Sequence, residues 1–301
     1  LHKPIHANVA SGYDDATELA AVFQGTKSGY SYGRQVNPTV TALESKVTVM
    51  ESGVASVCFG TGMAAIGTTM FALLRSGDHI VSSAFLFGNT NSLFNTFGQM
   101  GINVSFVDAT SVDAVAAAVT EKTRVVFVET IANPRTQVAD LARIGEFCAQ
   151  HGLVYVVDNT MTSPYLFQAK AVGASLVVNS LTKYIGGHGN ALGGAVTEMG
   201  NYDWSTFPNI YPEYQGGDPA KWGITQIKKK GLRDLGASLG PEAAHHIAMG
   251  AETLALRVQR QSDNAMAICQ YLQGHPKVKR VYYPGLDDHP QHARAQELFR
   301  A

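Results

Sequence analysis

The feature that most constrains this chain is an alternation of short valine-rich runs with helical patterns between residues 53 and 180. Short apolar runs bounded by turn residues are typical of strands buried on both faces of a sheet. The expected strands are ASVCF (55–59), HIVSS (79–83), INVSFVD (102–108), RVVFVET (124–130), LVYVVDN (153–159) and SLVVNS (175–180). Repeated βα units of this kind predict an α/β fold with a mainly parallel sheet flanked by helices.

The regions on either side of this pattern differ from it. Residues 1–35 are poorly periodic, and we expect an N-terminal arm that lies over another surface, such as that of a neighbouring subunit. Residues 36–235 form the expected large domain, which opens with a helix after the turn at Asn37 and Pro38. The aromatic, turn-rich segment 201–219 is expected to be an active-site loop or lid.

Residues 236–301 are expected to form a linking helix and the beginning of a smaller C-terminal α/β domain. A single long helix is predicted from Pro241 to about Gln273, with Leu254, Val258 and Gln261 along one side. The stretch KVKRVYYPGL (277–286) then predicts a strand that enters the second domain.

Composition gives no support to two kinds of function, the binding of nucleic acid or anionic membranes and the binding of metals. A formal net charge of −1 gives no reason to expect binding to nucleic acid or to an anionic membrane. The three cysteines have neither CxxC spacing nor a matching histidine cluster, so free buried thiols are expected and no metal site is predicted. No signal peptide or membrane-spanning run is visible, which favours a reducing, cytoplasmic setting.

A candidate site begins at the end of the last predicted strand, in SLVVNSLTKYIGGHGNAL (175–192). Two hydroxyls, Ser180 and Thr182, lie within three residues of Lys183, and glycines follow. This pattern suits an amine that forms a Schiff base beside hydroxyls that bind a phosphate. The alternative is a strand end whose lysine points into solvent.

Other polar or permissive residues follow the predicted strands at the same edge, where ligands of parallel sheets collect. Gly62 and Met63 follow one strand, Phe87 follows another, Asn133 comes after RVVFVET, and Asp158 ends LVYVVDN. Taken singly, each has an ordinary structural explanation. Their shared position favours one binding site.

Pyridoxal phosphate (PLP) requires a lysine, donors for its phosphate, a carboxylate facing its pyridine nitrogen and a flat group over its ring. Lys183 is the candidate amine, and burial beside positive charge is expected for it. Gly62 and Met63 offer backbone N–H groups at a helix N-terminus, and Ser180 and Thr182 add hydroxyls. Asp158, Phe87 and Asn133 are the candidates for the ring nitrogen, ring face and ring hydroxyl.

Tyr32 and Arg34 lie two residues apart in SYGRQVNPTV. They are either ordinary loop residues or an anion clamp, because a phenol and a guanidinium are good donors to phosphate.

These residues lie in motifs that resemble the Cys/Met-metabolism family of PLP-dependent enzymes. The matching motifs are YGRQVNPT (32–39), TGMAA (61–65), FGNT (87–90), ETIANP (129–134), VVDNT (156–160) and SLTKYIGGHGN (180–190). The resemblance implies the aspartate-aminotransferase-like fold (fold type I). It also implies that Tyr32 and Arg34 reach the PLP phosphate of a partner subunit, in a homotetramer built as a dimer of dimers with composite sites.

Within that family, the IGGHG run (185–189) preceded by SLTK most resembles the O-acetylhomoserine sulfhydrylases. The expected reaction is therefore γ-replacement on an O-acylated homoserine, with Lys183 as the base that removes the α-proton and then the β-proton. The alternative within the family is a C–S lyase or a synthase, namely methionine γ-lyase, cystathionine γ-synthase or cystathionine lyase.

Two departures from the family pattern affect the site. Phe87 stands where the family usually has tyrosine, so an acid–base role of that hydroxyl passes to Lys183, Tyr32 or water. The arginine that binds the substrate carboxylate in this family is expected beyond residue 301.

Two alternatives lie outside covalent PLP chemistry. A nucleotide-binding α/β protein would need a GxGxxG turn, but Gly60, Gly62 and Gly67 have the wrong spacing. A catalytically inactive scaffold of the same fold is the other alternative.

Overall fold

The computed structural model describes residues 4–300, so the first three residues of the predicted arm and Ala301 lie outside the described residues. A seven-stranded sheet forms the centre of the molecule. The strands are β1 (Ala55–Phe59), β2 (His79–Ser83), β3 (Asn103–Val107), β4 (Thr123–Glu129), β5 (Val154–Asp158), β6 (Leu176–Asn179) and β7 (Gly194–Glu198).

The strand order is β1-β7-β6-β5-β4-β2-β3, and β7 runs antiparallel to both of its neighbours while the other pairs are parallel. The predicted α/β class with a mainly parallel sheet is confirmed, as are all six predicted strands. β7 was not predicted.

The helices cover both faces of this sheet. They are α1 (Ala16–Gln24), α2 (Pro38–Met50), α3 (Gly62–Leu73), α4 (Gly88–Gln99), α5 (Val112–Ala118), α6 (Leu141–His151), α7 (Ser163–Leu166), α8 (Trp222–Gln226), α9 (Arg233–Leu235), α10 (Pro241–Ala251), α11 (Leu254–Gln273) and α12 (His292–Leu298). A π-helical segment, Ile227–Leu232, joins α8 to α9. None of the described helices combines the length and the apolar character needed to cross a membrane.

Alternation along the strands fills two separate cores. In β5, Val154 and Val156 pack into one hydrophobic cluster, whereas Tyr155 and Val157 pack into the cluster on the other face. Because successive side chains of a strand point to opposite faces, a run without polar residues is what a doubly covered strand requires.

Local signals set the ends of several helices. The side chain of Asn37 accepts hydrogen bonds from the backbone N–H groups of Thr39 and Val40, and Pro38 occupies the first helical position of α2. Gly152 ends α6 with a φ of 63°, a conformation that favours glycine.

Segment 201–219 is not the lid that its composition suggested. Trp204 is fully buried in the core, and the Tyr202 hydroxyl donates to the Gly152 carbonyl at 3.0 Å. Asn209 donates to Asp78, directly before β2. These contacts place the segment against the edge where the parallel strands begin, opposite their carboxyl ends, so the prediction was wrong.

Three further expectations differ from the structure. The arm contains a helix, α1, which Asp15 caps, although no element was predicted there. The single helix after Pro241 is two helices that break at Glu252 and Thr253. Residues 277–286 form no strand in the described chain, because no neighbouring strand offers a ladder to pair with.

Candidate active site

A cavity of about 440 Å³ opens at the carboxyl ends of the parallel strands. Seven of the ten predicted site residues line it: Gly62, Met63, Phe87, Asn133, Asp158, Ser180 and Lys183. Their positions follow from topology, since each comes within four residues after β1, β2, β4 or β6, or ends β5. The strand-end rule therefore located most of this cavity.

The N-terminus of α3 forms one wall. The Thr61 side chain accepts a hydrogen bond from the Ala64 N–H at 3.0 Å, which leaves the Gly62 and Met63 N–H groups without intrahelical partners. A Cβ at Gly62 would lie 2.8 Å from the Ser180 Cβ, so only glycine fits this close approach. Backbone amides, the helix dipole and the Ser180 hydroxyl together suit a phosphate.

Two carboxylates meet at the base of the cavity. Glu129 ends β4 and lies directly opposite Asp158 of β5 in the parallel register. Glu129 accepts a hydrogen bond from the Phe87 N–H at 2.7 Å, and Asp158 accepts one from the Thr160 N–H at 2.9 Å. Across residues 4–300, neither carboxylate has an ion-pair partner.

The environment of the cavity changes the pKa of both Glu129 and Asp158. Burial raises the pKa of Glu129 to about 8, and the nearby Asp158 charge adds to the rise. Burial also raises the pKa of Asp158 above its ordinary value of 3.8. Such a pair favours a ligand that brings a positive charge, as a protonated ring nitrogen does.

Lys183 lies in the turn that follows β6, and its side chain reaches the same cavity. The side chain is exposed, so the burial expected for it is absent in the single chain. Within the described residues its ammonium has no hydrogen-bond or ion-pair partner. The amine is therefore free to meet a ligand in the cavity.

Phe87 and Asn133 complete the wall around these groups. The Phe87 side chain is 43% exposed and borders the cavity at the start of α4, where it offers a flat apolar face. Asn133 is exposed and lines the cavity beyond β4.

The remaining three predicted residues lie outside the cavity. The Thr182 hydroxyl donates to the Gly193 carbonyl at 3.1 Å and accepts from the Gly193 N–H at 3.0 Å. Arg34 stacks over the Tyr32 ring at 5.3 Å and donates to the Arg233 carbonyl. Both side chains are exposed, so their role toward a second subunit stays a prediction.

Sequence reasoning missed two residues of the cavity that carry charge, Glu129 and Arg257. Glu129 ends a predicted strand beside Asp158, so the rule applied to Asp158 also identifies it. Arg257 comes from α11, and no local pattern associates it with the strand ends.

Comparison with known proteins agrees with this geometry. Residues 2–301 match the family model of the Cys/Met metabolism PLP-dependent enzymes. The chain is 35% identical to an O-acetyl-L-homoserine sulfhydrylase of Leptospira meyeri, with 98% of this chain and 71% of that protein covered. It is 36% identical to an L-methionine gamma-lyase of Fusobacterium nucleatum, with 100% and 71% covered.

A solved structure shares the fold closely. The putative O-acetylhomoserine (thiol)-lyase of Campylobacter jejuni superposes with a TM-score of 0.90 at 31% identity, over 99% of this chain and 77% of that one. That structure carries a lysine bonded to a pyridoxyl monophosphate group.

Proposed function

The chain belongs to the Cys/Met-metabolism family of PLP-dependent enzymes, and we propose that it catalyses γ-replacement on an O-acylated homoserine. In this reaction the bond between the γ-carbon and the acyl oxygen breaks, and a bond from the γ-carbon to sulfur forms. O-Acetylhomoserine and hydrosulfide thereby give homocysteine and acetate. With a thiol in place of hydrosulfide, methanethiol for example, the product is a thioether such as methionine.

One observation carries the proposal: the cavity is lined by an exposed lysine and by a pair of adjacent carboxylates that has no ion-pair partner among the described residues. PLP supplies a protonated ring nitrogen and a conjugated system that accepts an electron pair from the substrate. Asp158 faces a site where that positive charge lowers its pKa, and the cavity volume of about 440 Å³ accommodates a ligand of this size.

The other groups have complementary roles toward the cofactor. The Gly62 and Met63 amides and the Ser180 hydroxyl would hold the phosphate, and Thr182 could join them only by giving up its bonds to Gly193. Phe87 would offer a flat face to the ring, and Asn133 would offer an amide to the ring hydroxyl.

Lys183 moves the protons of the reaction. Its amine accepts the α-proton of the substrate and releases it before it accepts the β-proton, and after sulfur has added it returns one proton to the β-carbon and one to the α-carbon. Phe87 has no ionisable group and cannot share this role. A base on a flexible, exposed side chain reaches both carbons in turn.

We further propose that the active assembly is a homotetramer, a dimer of dimers. Tyr32 and Arg34 are exposed and stand apart from the cavity of their own chain, which supports a role at a partner's phosphate site. The cysteines Cys58, Cys148 and Cys269 are free thiols, which supports a reducing compartment such as the cytoplasm.

Elimination is the second candidate, because the lyase of F. nucleatum is as similar to this chain as the sulfhydrylase of L. meyeri. The IGGHG run supports replacement. An assay with O-acetylhomoserine and sulfide, followed for homocysteine, is compared with methionine alone, followed for 2-oxobutyrate. Release of the keto acid without homocysteine would contradict the replacement proposal. Parallel assays with succinyl- and phospho-homoserine identify the preferred acyl group.

Covalent cofactor chemistry has its own test. After borohydride treatment and denaturation, wild type incubated with PLP should keep a pyridoxyl group on Lys183, detected by mass spectrometry, and Lys183→Ala should release its PLP. A wild type that takes up no PLP, or a variant that keeps as much pyridoxyl as wild type, would overturn the assignment of Lys183.

A further inference from the structure

The loop of residues 184–193 follows Lys183, and the side chain of Arg257 in α11 hydrogen-bonds to its backbone. Its guanidinium Nη1 donates to the Tyr184 carbonyl at 2.8 Å. Its Nη2 donates to the Ile185 carbonyl at 3.3 Å and to the Gly250 carbonyl at 2.8 Å. Its Nε donates to the Thr253 hydroxyl at 3.0 Å, so three backbone carbonyls and one hydroxyl share a single cation.

These partners join two parts of the fold. Tyr184 and Ile185 come directly after Lys183, whereas Gly250 and Thr253 belong to the junction between α10 and α11. The last carbonyls of a helix lack intrahelical donors, which makes this junction a natural acceptor site. A planar fork of five N–H donors can bind all four acceptors at once, and a lysine ammonium cannot.

Two glycines of the loop show how closely the guanidinium approaches. Gly187 has a φ of +69°, and a Cβ there would lie 2.0 Å from the Arg257 Nη1. Gly189 has nearly the same conformation, with a φ of +64°, but nothing lies within 4 Å of its Cβ position. The two positions therefore separate backbone strain from contact with Arg257.

We propose that Arg257 is a positioning residue that fixes the Lys183 loop and thereby the place of the amine over the cavity. The inference rests on the proposed function, because it assigns Lys183 as the reacting amine. Arg257 also lines the cavity, so the group that holds the loop borders the space in which the amine works. Its guanidinium acts on the backbone beside Lys183, and the catalytic role stays with the lysine.

The first test needs no cofactor. Hydrogen exchange of the loop amides is measured in cofactor-free wild type, Arg257→Lys, Gly187→Ala and Gly189→Ala. The Gly187 N–H, which donates to the Lys183 carbonyl at 2.7 Å, should exchange faster by about tenfold in the first two variants. Gly189→Ala is the matched control and should stay near wild type. Unchanged exchange in Arg257→Lys would overturn the proposal.

The second test follows the amine itself. With saturating PLP, Arg257→Lys and Gly187→Ala should keep the total bound PLP. The fraction trapped on Lys183 by borohydride should fall, and kcat should fall by about tenfold to a hundredfold with little change in KM. Equal trapping in Gly187→Ala and Gly189→Ala would contradict the proposal.

The two proposals fail in different ways. Wild type that traps no PLP on Lys183 contradicts the proposed function, and the inference about the amine falls with it. Wild type that traps PLP normally, beside an Arg257→Lys variant that behaves identically, contradicts the role of Arg257 alone.

Discussion

The two ends of the central sheet surround their buried carboxylates differently. Where the parallel strands begin, Asp78 accepts hydrogen bonds from the Arg75 N–H and the Asn209 amide, both at 2.7 Å, and pairs with Arg124 at 3.2 Å. Glu198 at this end accepts from the Trp204 indole at 2.9 Å. Segment 201–219 supplies two of these donors, Asn209 and Trp204, and closes the end.

Where the parallel strands finish, the sheet stays open. Glu129 and Asp158 face each other, and each accepts a backbone hydrogen bond but has no ion-pair partner among residues 4–300. Both acids have a raised pKa and lie side by side at the open cavity, and such an arrangement indicates a site that a ligand completes. The closed end stabilises the fold, and the open end is prepared for binding.

We expect the largest difference between the two ends when one aspartate at each end is replaced. Asp158→Asn removes the charge that faces the cofactor, and we expect PLP affinity to fall by about tenfold to a hundredfold, since a charge-assisted hydrogen bond contributes about 1.5–3 kcal/mol. Asp78→Asn should keep that affinity and lower the free energy of unfolding by about 1–3 kcal/mol. Equilibrium dialysis with PLP and urea unfolding measure the two effects.

The reverse pattern, with affinity lost in Asp78→Asn and stability lost in Asp158→Asn, would show that the two ends have been assigned the wrong roles.

Sequence periodicity predicted the strands whose apolar runs are buried on both faces. It missed β7, since Gly194–Glu198 lies outside the βα alternation and becomes a strand through antiparallel pairing with β6 and with β1, which is far away in the sequence. Segment 201–219 carries the aromatic and turn residues of a lid, yet composition alone does not say which end of the sheet it covers. The positions of β7 and of segment 201–219 both depend on contacts with residues that are far away in the sequence.

The residues of the site also fall into those that the sequence predicts and those that it does not. Gly62 and Lys183 follow strands and Asp158 ends one, so the rule for parallel sheets places them together. Arg257 reaches the cavity from a distant helix, and the bonds between Thr182 and Gly193 form across a loop. Neither contact has a local sequence signal.

The pH dependence of stability sharpens the comparison between the two ends. Glu129 and Glu198 both have a pKa raised by burial to about 8, against an ordinary value of 4.5. Between these values the folded protein binds more protons than the unfolded chain. The free energy of unfolding therefore falls as the pH rises, by up to about 1.4 kcal/mol per pH unit for each group.

Glu129→Gln and Glu198→Gln should each flatten this slope in cofactor-free protein, as measured by urea unfolding between about pH 5 and pH 8. A cationic ligand lowers the pKa of Glu129, so with PLP bound Glu129→Gln should change the slope little. Glu198→Gln should flatten the slope equally with and without PLP. Equal behaviour of the two variants in loaded protein would contradict the view that only one end receives a cation.

The smallest expected effect concerns Phe87, whose ring is half exposed at the open end. Phe87→Ala removes the flat face over the cofactor, and PLP affinity should fall by about 0.5–1.5 kcal/mol, the range measured for aromatic pairs. Phe87→Tyr keeps the face and adds a hydroxyl, so the affinity should stay close to wild type, as equilibrium dialysis can establish. Because the ring is not part of a closed core, both variants should unfold near the wild-type urea concentration. An alanine variant that binds PLP as wild type does, yet unfolds at a much lower urea concentration, would show that Phe87 stabilises the fold and does not contact the cofactor. The open end would then be partly structural.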